Sequence, residues 1–221
     1  MAAGSSRRMD GIDKLWADLA GHPLLFHAIH NLAPSADATV LVVGPGHVER
    51  AHDLLATEHL ASQFPNVTVV VGGAERSDSV ARGLGALPAT QFVAVHDAAR
   101  PFANSRLLSA GLALAKERGA AVPVIPVTDT LKRVTPDGTI EMTVNRSDLM
   151  RVQTPQVFSR PILLEAYTGT AAGTDQITDD AGIVEASGRA VATFPGYPAN
   201  FKITTPEDLQ MAREILAGLS R

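Results

Sequence analysis

Cysteine is absent from the 221 residues, which excludes disulfides, thiolate metal sites and a cysteine nucleophile. Basic residues do not predominate: 19 Lys and Arg against 23 Asp and Glu leave a net charge of −4. No overall positive field recruits nucleic acid, so a polyanion site must be a local cluster of cations. No apolar run approaches the roughly 20 residues that span a bilayer, and no secretory hydrophobic region opens the chain. Gly-Lys-Ser/Thr and Gly-x-Gly-x-x-Gly are both missing, so two common nucleotide-binding folds lose support. What remains is a soluble, cytoplasmic protein, expected to bind neither nucleic acid nor membrane. Its 45% hydrophobic content suffices to pack one domain.

Short apolar runs end at Gly44 ("TVLVVG"), Gly73 ("VTVVVGG"), Asp97 ("FVAVHD") and Val127 ("AAVPVIPV"). Between them lie stretches with helical spacing, such as Leu24, Leu25, Ala28, Ile29 and Leu32, or Val80, Leu84 and Leu87. Apolar strands alternating with amphipathic helices predict an α/β fold: a mostly parallel twisted sheet with helices on both faces. Ligands of such sheets bind beyond the carboxyl ends of the strands. That rule points at residues 72–79, 96–100 and 127–132.

The pattern breaks after Thr130. "LKRVTPDGTIEMTVNRSDLMR" reads as two short strands about the turn Pro136-Asp137-Gly138. An isolated hairpin is marginal in water, so residues 131–150 are expected to form an arm that packs on a second subunit. Helical and strand patterns then resume, ending in "TTPEDLQMAREILAGL", where Thr205 suits an N-cap and Pro206 the first helical position. The chain reads as a single domain over residues 1–221. The opening "MAAGSSRRMDGIDK" looks like a phosphate loop, yet the strand that should feed it is not among the four apolar runs. An apolar strand upstream of Met1 is therefore expected.

In that opening, Ala2, Ala3 and Gly4 let backbone N–H groups approach an anion closely, and Arg7, Arg8 and Lys14 supply cations. "VHDAARP" places Asp97 at a strand end, where a carboxylate can hold Mg²⁺ against phosphate oxygens. Arg100 could take a second phosphate. Alone, Asp97 reads more readily as a turn cap paired with Arg100, and His96 reads as a structural histidine. "GGAERSDSV" supplies a glycine turn before a helix capped by Ser77 or Asp78. No third ligand accompanies His27 and His30, which disfavours zinc.

Taken together, "AAG", "RRM", Lys14, "GGAERSDSV", "VHDAARP", "PVTDTLKR", "QTPQVF", "ITDDA" and "NFKITTPEDL" resemble the 2-C-methyl-D-erythritol 4-phosphate cytidylyltransferase family. The resemblance runs from Ala2 to about Leu216. It implies a Rossmann-like nucleotidyltransferase fold and a homodimer that joins CTP to a phosphorylated polyol and releases diphosphate. By resemblance, Ala2, Ala3, Gly4 and Ser5 cradle the CTP phosphates, and Arg8 and Lys14 are catalytic. Gly73 and Ser79 meet the cytosine, Ala98 the ribose, and Asp97 carries Mg²⁺. Arg100, Thr178 and Lys202 bind the acceptor from one subunit, while Thr130, Arg146 and Thr154 reach it from the partner.

The chain departs from the family pattern at Ala74 and Ala199, where acidic residues are common, and at Asp13, where proline is common. The rival readings are a ribitol-5-phosphate cytidylyltransferase of the same fold and a nucleotide-sugar binding module without turnover. The lack of any Asp-x-Asp disfavours a glycosyltransferase. A nucleophile that is already a phosphate anion needs no general base, and no Ser–His–Asp or paired-acid set is present.

Overall fold

A computed structural model describes residues 1–4, 13–169 and 177–219. After a tight pairing of β1 (Asp18–Leu19) with β2 (His22–Pro23), α1 (Leu24–Leu32) leads to β3 (Thr39–Val43), α2 (Val48–Thr57) and the short α3 (Leu60–Gln63). Then follow β4 (Val67–Val71), α4 (Arg76–Ala86), β5 (Phe92–Val95), α5 (Ser105–Arg118) and β6 (Ala120–Pro126). β7 (Leu131–Val134) and β8 (Ile140–Val144) form the arm, and β9 (Met150–Val152) returns from it to β10 (Gln156–Ser159). The chain closes through α6 (Arg160–Gly169), α7 (Asp180–Ala186), β11 (Ala192–Pro195) and α8 (Pro206–Leu219).

β3 pairs in parallel with β4, and β11 in parallel with β6. β10 lies antiparallel between β5 and β6, however, and β9 also pairs antiparallel with β6. The sheet is thus mixed rather than mostly parallel. The reason is the arm: a chain that leaves the end of β6 in a hairpin must come back against it. Met1 and Ala2 join the two halves. The Met1 amine donates to the His96 carbonyl at 2.6 Å, the Met1 carbonyl accepts from Ala98 N–H, and Ala2 bridges Val43 in parallel.

Adjacent residues of the central strands point to opposite faces. Leu41 and Val43 pack with α1, α2 and α8, whereas Val93, Val95 and Phe158 pack with α4, α6 and α7. α5 covers Ala121, Val157 and Phe194. Helices on both faces agree with the continuous apolar strands. The hairpin turns at Gly138, whose φ of +85° is the conformation glycine supplies. α4 is capped by Glu75 in a reciprocal box with Asp78, not by Ser77 or Asp78. α8 starts as its sequence reads: Thr205 Oγ1 accepts from Asp208 N–H, and the Asp208 carboxylate accepts from Thr204 and Thr205. Among the described residues no helix is long and apolar enough to cross a membrane.

Candidate active site

β3, β4 and β5 end beside the Met1–Gly4 segment. Gly72 extends the ladder, donating its N–H to the Val43 carbonyl at 2.7 Å. A Cβ on Gly72 would lie 2.5 Å from that of Ala3 and 2.8 Å from Ser79 Oγ, so only glycine lets the two turns close up. A Cβ on Gly73 would strike Asp78 at 2.2 Å. Ser79 is buried; its hydroxyl accepts from Gly73 N–H and donates to the Glu75 carbonyl, both at 3.0 Å. It holds the glycine turn from beneath. Ala2 is buried, Ala3 half-buried and Gly4 exposed. Ser5 and Arg8 lie outside the described residues.

Asp97 follows β5 at the centre of the rim. Its side chain is 13% exposed and pairs with Lys202 Nζ at 2.8 Å and with Arg76 Nη2 at 3.5 Å. Burial pushes its carboxyl up, but the two cations outweigh this and hold it well below the usual carboxylate range. Arg76 in turn reaches the fully buried Asp180 at 2.6 Å, and Tyr167 donates its hydroxyl to the other Asp180 oxygen at 2.6 Å. A chain of alternating charge therefore runs Lys202–Asp97–Arg76–Asp180, anchored by Tyr167. Sequence reading does not single out Asp180 or Tyr167, because Asp180 pairs with an Arg76 remote in the chain and, among the described residues, Tyr167 pairs only with Asp180.

Asp97 N–H donates to Thr154 Oγ1 at 3.0 Å, and that hydroxyl meets His96 Nδ1 at 2.9 Å. His96 Nε2 faces the Arg100 carbonyl at 3.1 Å. Burial, helped by the nearby Met1 ammonium, pushes the imidazole down to about 3, so it stays neutral and structural. Thr154 is buried in this network. Its hydroxyl is engaged inside its own subunit, beneath Asp97.

Arg100 turns from Asp97 to the Asn200 carbonyl at 2.9 Å, while its Nε is buried without a partner. Ala98 is buried and its N–H is taken by Met1. The loop carrying Lys202 is pinned by Ile203, whose N–H donates to the Ala99 carbonyl at 2.8 Å and whose carbonyl accepts from Lys14 Nζ at 3.1 Å. Lys14 and Lys202 thus approach the same rim from opposite ends of the chain.

The "QTPQ" motif is scaffolding. Buried Gln153 bonds Tyr197 and Asn200, and Asn200 also donates to the Thr154 carbonyl. Buried Gln156 bonds Asp179 and the N–H of Ala181, fixing the start of α7. Buried amides satisfied on both sides hold loops that their own sequences leave undetermined. Thr178 is exposed just before α7. Thr130 and Arg146 stand on the exposed arm, where Arg146 donates to the Thr128 carbonyl.

Among the described residues, no three His, Asp or Glu converge as a cage for a metal ion. Asp97 fits a different arrangement, in which Mg²⁺ is held by one carboxylate and the phosphates it accompanies. The carboxylate is ionised, faces the rim, and has one oxygen only loosely paired with Arg76.

The family model for 2-C-methyl-D-erythritol 4-phosphate cytidylyltransferase matches residues 1–218. A protein of that name from Dehalococcoides mccartyi (strain CBDB1) is 40% identical over 220 residues, covering 98% of this chain and 93% of the relative. The crystal structure of the same-named protein from Thermus thermophilus superposes with a TM-score of 0.77 at 33% identity, over 92% of this chain and 93% of the other. A 4-diphosphocytidyl-2C-methyl-D-erythritol synthase from Anaerococcus prevotii superposes with a TM-score of 0.81 at 27% identity, with the same coverage.

Proposed function

The chain belongs to the 2-C-methyl-D-erythritol 4-phosphate cytidylyltransferase family, and on that premise we propose how its own residues carry out the family's reaction. The protein is a nucleotidyltransferase that joins CTP to 2-C-methyl-D-erythritol 4-phosphate, giving 4-diphosphocytidyl-2-C-methyl-D-erythritol and diphosphate. An oxygen of the acceptor phosphate bonds to the α-phosphorus of CTP as the bond to the β-phosphate oxygen breaks. The nucleophile is already anionic, so no side chain need accept a proton. The protein has to align two polyanions and offset their charge.

The observation that carries this reading is the position of Asp97 between Lys202 and Arg76, beside the close-packed Ala3 and Gly72 turns. The triphosphate would lie along the turn from Ala2 to Ser5, where the Ala2 N–H is already bonded to the Val42 carbonyl and the N–H groups that follow it would meet the phosphates, with Lys14 and Arg8 against the α-phosphate and the leaving diphosphate. Gly73 and Ser79 shape the base pocket, and Ala98 borders the ribose. Mg²⁺ held by Asp97 and the phosphates would neutralise charge on the triphosphate. A phosphate beside Asp97 also lies beside Lys202, and Arg100 keeps a buried donor without a partner. These features support Lys202 and Arg100, with Thr178, as acceptor-binding residues.

The arm, residues 131–150, serves as a dimerisation element of a single domain. Val134, Ile140, Met142 and Met150 expose apolar side chains along it, as a surface awaiting a second subunit would. Thr130 and Arg146 would then enter the partner's cleft. The test is diphosphate release and CDP-alcohol formation from CTP with each acceptor at equal concentration. Turnover with 2-C-methyl-D-erythritol 4-phosphate well above that with ribitol 5-phosphate is expected, and the reverse preference refutes the assignment.

A further inference from the structure

Lys14 opens a short 3-10 turn, Lys14–Trp16, closed by Trp16 N–H donating to the Asp13 carbonyl at 3.0 Å and Ala17 N–H to the Lys14 carbonyl at 3.2 Å. Leu15 is buried in the core, and both flanks of the turn are held by the start of α2. His47 Nε2 lies 3.2 Å from Asp13 Oδ2, and the His47 ring stacks on Trp16 with 5.9 Å between centroids. Arg50, three residues on and so a neighbour of His47 on the helix surface, places its guanidinium carbon 4.4 Å from the centre of the Trp16 ring.

His47 is the N-cap residue of α2, a place usually taken by a side-chain oxygen that accepts a backbone N–H of the first turn. It makes no such bond; its ring is turned to Asp13 and Trp16 instead. An ion pair as open as this one, with His47 37% and Asp13 34% exposed, adds little to stability. Its effect is to restrict where the base of the Lys14 side chain sits.

We propose that His47 is a positioning residue for cytidylyl transfer: through Asp13 and, together with Arg50, through Trp16, it holds the turn from which Lys14 reaches the rim. The inference rests on the role proposed above for Lys14. The far end of that lysine meets the Ile203 carbonyl at 3.1 Å, in the loop that carries Lys202, so a shift at the base of the turn moves the ammonium relative to the rim. A cation displaced from the charge that develops in the transition state loses much of its effect on rate, while binding of the ground state changes little.

The test is steady-state kinetics of His47→Phe and His47→Gln, each also combined with Lys14→Ala. His47→Phe keeps a ring against Trp16 and removes the partner of Asp13, whereas His47→Gln restores a donor near the place of Nε2. His47→Phe is expected to lower kcat about tenfold, with KM for CTP and for the acceptor within about twofold and Tm within about 3 °C of wild type. His47→Gln should recover kcat to within about threefold of wild type. On the Lys14→Ala chain, His47→Phe should cause no further loss, because coupled residues are not additive. A wild-type kcat in His47→Phe, a change confined to KM, or a His47→Gln chain as slow as His47→Phe overturns the proposal. So does an equal loss with and without Lys14, which would show that the effect does not pass through the lysine. Should His47→Phe fail to fold, Asp13→Ala breaks the same pair from its other side and is judged by the same values. A Lys14→Ala defect without a His47→Phe defect overturns this inference alone, whereas a wild-type kcat in Lys14→Ala overturns the role of Lys14 and this inference with it.

Discussion

At Asp97 two demands conflict: a carboxylate must be nearly buried to sit at the strand end, and it must stay ionised to serve phosphate chemistry. The conflict is resolved by a relay of charge. Lys202 and Arg76 hold Asp97 ionised, and the buried Asp180 compensates Arg76. Tyr167 completes the set by filling the remaining Asp180 oxygen. Tyr167→Phe is therefore expected to lower stability by about 1–2 kcal/mol in urea unfolding, the cost of leaving a buried acceptor short of one bond. Its effect on kcat should stay under about tenfold, because Arg76 keeps its ion pair. Unchanged stability would remove the hydroxyl from the relay.

If Lys14 acts at the reacting phosphates as proposed, Lys14→Ala should cut kcat by about 10²–10³ with the fold intact, as loss of one electrostatic stabiliser does. Wild-type kcat would exclude it from the mechanism. Asp97 and Lys14 are legible in the sequence, since one ends an apolar run and the other follows a glycine-bearing turn. Asp180 and Tyr167 are not, because Asp180 lies 104 positions from Arg76 and nothing local to either residue signals the pair.

The elements that carry these residues differ in how far they announce themselves. α8 is legible from its Thr-Pro-Glu-Asp start, and its cap also anchors the Lys202 loop. Hydrogen bonds from Thr204 and Thr205 outweigh the opposing effect of burial and hold the Asp208 carboxyl below its ordinary range. A depressed carboxyl stabilises the fold above the unfolded-state pKa and loses that contribution as pH falls through the folded one. Asp208→Asn should thus cost about 1 kcal/mol at pH 7, and the gap from wild type should close as pH drops below about 4. A gap that persists at low pH would show that the charge is not what matters.

The arm is legible from its turn, whereas β10 is not. "QTPQVF" carries no alternation that separates a strand from a loop, and only the return from the hairpin makes it one. If Arg146 serves the neighbouring subunit, mixing Arg146→Ala and Lys14→Ala chains should restore part of the activity in hybrid dimers. Hybrids that form but stay inactive would place Arg146 in its own subunit's site.

Over the whole molecule, a chain of net charge −4 gathers cations from positions as distant as Lys14 and Lys202 onto one rim. The mixed sheet makes this possible, because the strand ends and the loops after β9 and β11 all open there. Alternation of apolar runs and helices is enough to read the layers and the functional edge. The antiparallel insertion is not readable, since strand order depends on pairings that no local pattern encodes.

In the proposed mechanism this rim only aligns and neutralises, with the acceptor phosphate itself attacking the α-phosphorus. The most direct measurement is the stereochemical course with CTP made chiral at the α-phosphorus by sulfur substitution. A single in-line displacement predicts inversion in the product. Retention would mean that a side chain forms a covalent nucleotidyl intermediate, and would contradict the mechanism derived from this site.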